Sequence, residues 1–274
     1  MRNTIEFHPT RRNRRCFSLA ASLTVLGLTL AVNVRGGPPF VTDDPEPVDY
    51  HNWEFYVASQ DSKYRGDWSG SAPEFELNYG VLPNVQLHII TPLGFDVPPQ
   101  GSSHYGLNDL ELGVKFRFIQ ETNGLPQVGI YPMVDVPTGD AAENLGNGRW
   151  DGFLPVWLQK SWGSWTAYGG SGYGINSFTK GNENWGFVGA VLQKQVLPNV
   201  FVGGEVFYQS ALQTDFPYEG TEFNVGTGID VTPHQHLLIS AGRSIGGHVD
   251  FQCYIAYQFT FDNSLLRSWF NPRH

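Results

Sequence analysis

The feature that most constrains this chain is the strict two-residue alternation of Asp109-Leu110-Glu111-Leu112-Gly113-Val114-Lys115-Phe116-Arg117-Phe118. Leu110, Leu112, Val114, Phe116 and Phe118 fall on one face, and Asp109, Glu111, Lys115 and Arg117 on the other. That period makes a β-strand with one apolar and one polar side, and no helix can satisfy it. The pattern recurs at Phe75, Leu77 and Tyr79 against Glu74, Glu76 and Asn78, and at Val85, Leu87 and Ile89 against Gln86 and His88. It returns near the end of the chain, where Phe251, Cys253, Ile255, Tyr257, Phe259 and Phe261 alternate with Gln252, Tyr254, Ala256, Gln258 and Thr260.

Twelve such segments can be placed, near 52–60, 72–80, 84–91, 107–118, 127–136, 152–161, 164–173, 185–195, 199–208, 221–230, 235–243 and 251–261. In 152–161 two registers compete, one facing Leu154, Val156 and Leu158 outward and the other Phe153, Pro155 and Trp157. The connections alternate in length. Long ones (61–71, 92–106, 137–151, 174–184, 209–220, 244–250) are separated by short ones (81–83, 119–126, 162–163, 196–198, 231–234), and Val81-Leu82-Pro83-Asn84-Val85 recurs as Val196-Leu197-Pro198-Asn199-Val200.

An even number of alternating strands, with short turns at one end and long loops at the other, describes a bacterial outer-membrane barrel. A tilted strand of roughly 9–11 residues crosses the bilayer, and closure leaves no sheet edge unpaired in hydrocarbon. The expected fold is therefore all-β, a transmembrane antiparallel up-and-down barrel of about 12 strands placed after an N-terminal signal peptide. A secreted β-sandwich is the competing soluble reading. Aromatics near strand ends (Trp53, Tyr79, Trp157, Trp162, Trp165, Trp185 and Tyr208) fit interfacial girdles and favour the barrel.

The start of the chain reads as an export signal over 1–35. Arg11, Arg12, Arg14 and Arg15 precede an apolar stretch of 17 residues, Cys16 to Val32. An acidic, Pro-rich segment, 36–51, then leads into a barrel over 52–261, followed by a tail, 262–274. Without residues 1–34 the chain keeps 12 basic and 25 acidic residues, a net charge of −13. Such a balance excludes nucleic acid as a partner, because phosphate binding needs a basic surface. Only Cys253 remains beyond the signal, so neither a disulfide scaffold nor a Cys-based metal site can be built.

The segment Pro38-Pro39-Phe40-Val41-Thr42-Asp43-Asp44-Pro45-Glu46-Pro47-Val48 resembles the opening of the meta-pathway-of-phenol-degradation, or transporter-like, family of outer-membrane proteins. Asn78-Tyr79-Gly80, Asp109 to Phe118, Pro137-Thr138-Gly139-Asp140 and Leu145-Gly146-Asn147-Gly148 match it too. The resemblance runs from 38 to 261. It implies a porin-like protein of the Gram-negative outer membrane that takes up small hydrophobic or aromatic compounds, with no defined substrate site. The last strand, Tyr257-Gln258-Phe259-Thr260-Phe261, is similar to the recognition strand read by the barrel-assembly machinery. In this chain, residues 262–274 extend past it.

Glu54, Glu74, Glu76, Asp109, Glu111, Lys115, Arg117 and Glu205 all fall on the inward, polar faces. They are the candidate pore-lining residues, either setting ion preference or pairing to fill the lumen. His88, His234, His236 and His248 raise the question of a hydrolase. His236 and Ser240 share a strand face but stand four residues apart, about 13 Å along an extended chain. No strand-to-helix turn that could form a nucleophile elbow and no His-Glu-x-x-His is present, so no catalytic residue, metal or cofactor is expected, and no enzyme.

Asp43, Asp44, Glu46 and Asp49 match no Ca²⁺ loop spacing and point to a solvated periplasmic or lumen-inserted segment. The glycine-containing stretch 137–151 is either a surface loop or an inward constriction. Two functions follow: a passive outer-membrane channel for small solutes, with lipid and solutes as its partners, or a non-conducting barrel that is structural or binds a partner.

Overall fold

The computed structural model describes residues 38–176, 184–210, 219–264 and 266. The expected signal peptide lies outside them, as does most of the 262–274 tail. The strands are β1 (Asn52–Tyr64), β2 (Asp67–Leu82), β3 (Val85–Val97), β4 (His104–Leu107 continued by Leu110–Ile119) and β5 (Gln127–Ile130 continued by Met133–Val136). They go on through β6 (Asp151–Trp162), β7 (Trp165–Ile175), β8 (Trp185–Leu197), β9 (Val200–Gln209), β10 (Gly220–Thr232), β11 (Gln235–Gly246) and β12 (Val249–Asp262).

Each strand pairs antiparallel with the next. β12 returns to β1 through Asn52↔Asp262, Trp53↔Phe261 and Phe55↔Phe259, which closes the sheet. Two strands are interrupted without leaving the wall. In β4 the break falls at Asn108-Asp109, and both halves pair with β3. In β5 it falls at Tyr131-Pro132, where proline has no N–H for the ladder, and both halves pair with β4 and β6. The result is a closed 12-stranded antiparallel barrel.

The alternation decides which side of the wall each residue faces. Leu112, Val114 and Phe116 are 38–41% exposed on the outside, whereas Lys115 between them is only 6% exposed. Leu87, Val188, Leu192, Val206, Ile255 and Tyr257 continue this outer apolar belt. Water does not tolerate so large a contiguous apolar surface, and bilayer hydrocarbon requires it. The barrel therefore sits in an outer membrane. In β6, Leu154, Val156 and Leu158 face outward and Trp157 is fully buried inside, which settles the two competing registers.

Several expectations are corrected. The connections 61–71 and 244–250 are not loops, because β1 and β2 run on to a tight turn at Arg65-Gly66, and β11 and β12 to one at Gly247-His248. The 16-residue β2 is longer than any bilayer crossing needs, so this end of the barrel projects beyond the hydrocarbon. Two girdle aromatics are also misplaced. Trp157 and Trp185 belong to an aromatic cluster inside the barrel, whereas Trp53 stays outside, stacked on Tyr79 at 4.0 Å and beside Phe261 at 6.2 Å.

Candidate functional site

The acidic, Pro-rich segment is inside the barrel. From Pro38 to Val48 it lies across the half of the lumen nearest the short turns, meeting wall residues from Gln86 on β3 round to Ser240 on β11. The Glu205 carboxylate on β9 accepts from the backbone N–H groups of Val41 and Thr42, each at 2.9 Å, and from Asn224 Nδ2 at 2.6 Å. Ser240 Oγ donates to the Pro39 carbonyl, and the Val48 N–H donates to Gln86 Oε1 at 2.8 Å. Gln127 and Gln159 both donate to Glu46 Oε2, at 3.3 and 3.2 Å.

Proline-rich backbone cannot bond to itself as a strand would, so the polar inner wall supplies its partners. Glycine makes the room. A Cβ on Gly189 would stand 2.1 Å from Thr42 Oγ1, and one on Gly129 would stand 3.0 Å from Pro45 Cβ. Thr42, Asp44 and Pro45 are consequently buried completely. Burial raises the Asp44 carboxyl above the usual range, while Lys115 draws it back.

The eight sequence-derived candidates all point inward but divide into groups. Lys115 is committed to Asp43 at 3.0 Å, with Asp44 at 3.9 Å. Arg117 donates to Asn84 Oδ1 and Gln127 Oε1 and lies 3.8 Å from Glu46. Together with Glu205 these side chains hold the N-terminal segment. Glu54 accepts from Tyr56 OH at 2.8 Å. Asp109 accepts from the N–H groups of Gly139 and Asn147, at 3.0 and 2.5 Å, and so ties the 137–151 stretch to the wall.

Glu74, Glu76 and Glu111 remain, around His88. His88 Nε2 lies 2.9 Å from Glu111 Oε1, and its Nδ1 lies 2.6 Å from Asn78 Oδ1 and 3.6 Å from Glu76 Oε1. Ser71 Oγ donates to Glu74 at 2.6 Å.

Above the N-terminal segment, towards the long loops, lies a cavity of about 710 Å³. Its floor includes Phe40 and Asp43, and one side carries Glu74, Glu76, His88 and Glu111. The adjoining wall is aromatic, with Tyr131 meeting His88 edge-on at 5.4 Å. Tyr131, Trp157, Phe187 and Phe207 form a buried cluster against which Met133, Phe153 and Trp185 pack. Phe153 stacks on Trp185 at 4.8 Å, and Trp157 meets Phe187 edge-on at 5.9 Å. Asn144, Gly146 and Asn147 also line the cavity and Leu145 is 2% exposed, so the middle of 137–151 folds inward, while Ala141, Ala142, Glu143, Gly148 and Trp150 stay exposed on the surface.

The aromatic wall escaped the sequence reading. Its residues sit at inward positions of β5, β6, β8 and β9, where alternation alone anticipates polar side chains. The short-period signal is there in Phe153, Pro155 and Trp157, but it is as strong as that of the outward Leu154, Val156 and Leu158.

Of the histidines, His236 Nδ1 lies 2.6 Å from Asp230 on the neighbouring strand, and the Ser240 hydroxyl is taken by Pro39. Among the described residues, no group of three or more His, Cys, Asp and Glu side chains is placed to hold a metal ion.

No protein-family model matches the chain, and no curated protein matches it in sequence. Solved structures do. The chain is similar to an outer-membrane channel from Pseudomonas putida F1, with a TM-score of 0.64, 17% identity, and coverage of 80% of this chain and 98% of that one. It is also similar to the NanC porin, with a TM-score of 0.55, 9% identity, and coverage of 75% and 98%. At these identities the likeness establishes the fold. This chain shares the architecture of outer-membrane channels and porins.

Proposed function

We propose that the barrel is an outer-membrane channel for the passive passage of small hydrophobic or aromatic solutes, belonging with the meta-pathway-of-phenol-degradation family it resembles. The observation that carries this reading is the cavity of about 710 Å³ inside the lumen, walled on one side by Tyr131, Phe153 and Trp157. Concave, largely apolar chambers with a few placed polar groups are how proteins hold small organic molecules. The short-turn end faces the periplasm in this reading, because outer-membrane barrels carry their long loops outside. Residues 1–35 act as the export signal, and the last strand serves assembly.

Glu54, Glu74, Glu76, Asp109 and Glu111 give the passage its charge, with Glu205, Lys115 and Arg117 holding the N-terminal segment below. Solute leaving the cavity towards the periplasm meets that segment, so passage requires it to shift or skirts its edge.

A non-conducting barrel is the second reading, favoured by the many bonds that fix the segment across the lumen. Single-channel recording in a planar bilayer separates the two. Wild-type protein is expected to give discrete current steps, larger in a variant lacking residues 38–48. Silence from both correctly folded proteins contradicts the channel and leaves the structural reading.

A further inference from the structure

We infer that the outside of the barrel carries a docking site for lipid A, the phosphorylated glycolipid of the outer leaflet, on the face formed by β10, β11, β12, β1 and β2. This goes beyond the channel reading and shares with it only the orientation, short turns towards the periplasm.

Lys63 on β1 pairs with Trp68 on β2 and with Phe251 on β12. Gly242 pairs with Gln252, which sets Arg243 on β11 beside Phe251, and Arg243 in turn pairs with Phe223 on β10. Ser62 and Gln252 line the lumen cavity, so their neighbours Lys63 and Phe251 face outward. A Cβ on Gly242 would stand 2.2 Å from Asn224 Oδ1 inside the barrel, so Arg243 faces outward as well. Five adjacent strands thus present aromatic, cation, aromatic, cation and aromatic side chains in one row.

The row stands at the outer edge of the bilayer. Trp53, stacked on Tyr79, marks the opposite edge. From Trp53 to Lys63, β1 climbs roughly 24 Å at a tilt of about 45°. The apolar band of outer-membrane barrels is about 25 Å tall and has aromatic girdles at both edges. Trp68 and Phe251, edge-on at 6.0 Å, belong to the second girdle.

The two cations in it lack partners in the protein. Lys63 Nζ lies over the Trp68 ring at 5.7 Å, which holds the side chain against the wall. Neither Lys63 nor Arg243 forms an ion pair among the described residues, although the chain is strongly acidic overall. Asp61, one outward position below Lys63, instead accepts from Ser59 Oγ at 3.1 Å and from Cys253 Sγ at 3.6 Å. Elsewhere along this rim the outward positions Val97, Tyr105 and Tyr173 are uncharged, so the row gathers its positive charge on one face.

The geometry selects the ligand. Lys63 and Arg243 sit on strands either side of β12, about 10 Å apart at the backbone, and their long side chains can converge on an anion seated over Phe251. A phosphate suits both, meeting lysine as a point charge and arginine as a fork. Below the row Val225, Ile255 and Tyr257 are 44–61% exposed, so the same molecule must be hydrocarbon beneath its phosphate. Above it, β1–β2 and β11–β12 end in tight turns at Arg65-Gly66 and Gly247-His248, so neither hairpin folds over the two cations. Lipid A has this build and belongs to the leaflet that the row meets, whereas anionic phospholipids belong to the other.

The refolded barrel in detergent is titrated with bis-phosphorylated lipid A, with the same lipid stripped of its phosphates, and with phosphatidylglycerol, and bound lipid is counted by native mass spectrometry. Bis-phosphorylated lipid A is expected to bind at least about tenfold more tightly than the other two, as charge-assisted contacts to phosphate allow. Lys63→Gln combined with Arg243→Gln should cut that binding about tenfold, and Lys63→Arg alone should keep it. Lys160→Gln with Lys194→Gln, which removes two outward cations at the short-turn end, should change nothing. Circular dichroism checks that each variant is folded.

Binding that ignores the phosphates, ignores the Lys63 and Arg243 substitutions, or is matched by phosphatidylglycerol overturns the site. Displacement by excess inorganic phosphate overturns it too, since it marks a free-anion site. The measurement needs no conduction, so its failure leaves the channel standing, and a silent planar bilayer leaves this site standing.

Discussion

Lys115 Nζ donates to Asp43 Oδ1 across 3.0 Å, joining the fourth strand to a segment 72 residues earlier in the chain. Both side chains are largely shut off from solvent, so neither charge has water to fall back on. Removing one partner of such a pair costs on the order of 3–5 kcal/mol, because it strands the other. Lys115→Ala is accordingly expected to loosen residues 38–48 and expose them to protease, with larger single-channel currents. Lys115→Met combined with Asp43→Asn should recover most of the protection. Unchanged cleavage in the single variant contradicts the pair's role as an anchor.

The two faces of β4 differ in what they tolerate. Leu112 points into lipid near mid-strand, and an arginine there should cost about 2–4 kcal/mol in a bilayer. Glu111 faces the lumen and accepts from His88, a bond that glutamine can keep, so Glu111→Gln should cost less than about 1 kcal/mol. Equilibrium unfolding in lipid vesicles compares them, and equal losses contradict the register.

The barrel was legible in the sequence because lipid enforces alternation more strictly than a water-facing surface does. Leu112 and Val114 have no other side of the wall to occupy. The same logic fails inside, where the lumen accepts Trp157 as readily as Gln159. That is why β6 read in two registers and why the aromatic wall went unseen. Loop lengths misled at 61–71 and 244–250, since polar residues such as Asp61, Ser62 and Ser69 continue a strand once it leaves the hydrocarbon. Asp43 and Asp44 read equally as part of a solvated periplasmic segment or of a lumen-inserted one. Their place in the lumen depends on Lys115 and on the missing side chain of Gly189, and neither is near them in sequence.

Orientation follows from which end carries the long connections. An epitope inserted after Gly66, at the tip of the β1–β2 extension, is expected to be reached by antibody on intact cells. One inserted after Gly124, in the exposed β4–β5 turn at the opposite end, should be reached only after permeabilisation. The reverse result inverts the barrel, and equal access to both sites contradicts the strand count between them.

The most direct test of a conducting, carboxylate-lined lumen is the reversal potential of the reconstituted wild-type barrel in a potassium chloride gradient of about tenfold. Charge held at close quarters selects ions even where no single residue forms a binding site. A potential on the cation-selective side is expected, moving towards zero when Glu74→Gln and Glu76→Gln are combined. A potential on the anion-selective side, or no current from folded protein, contradicts it.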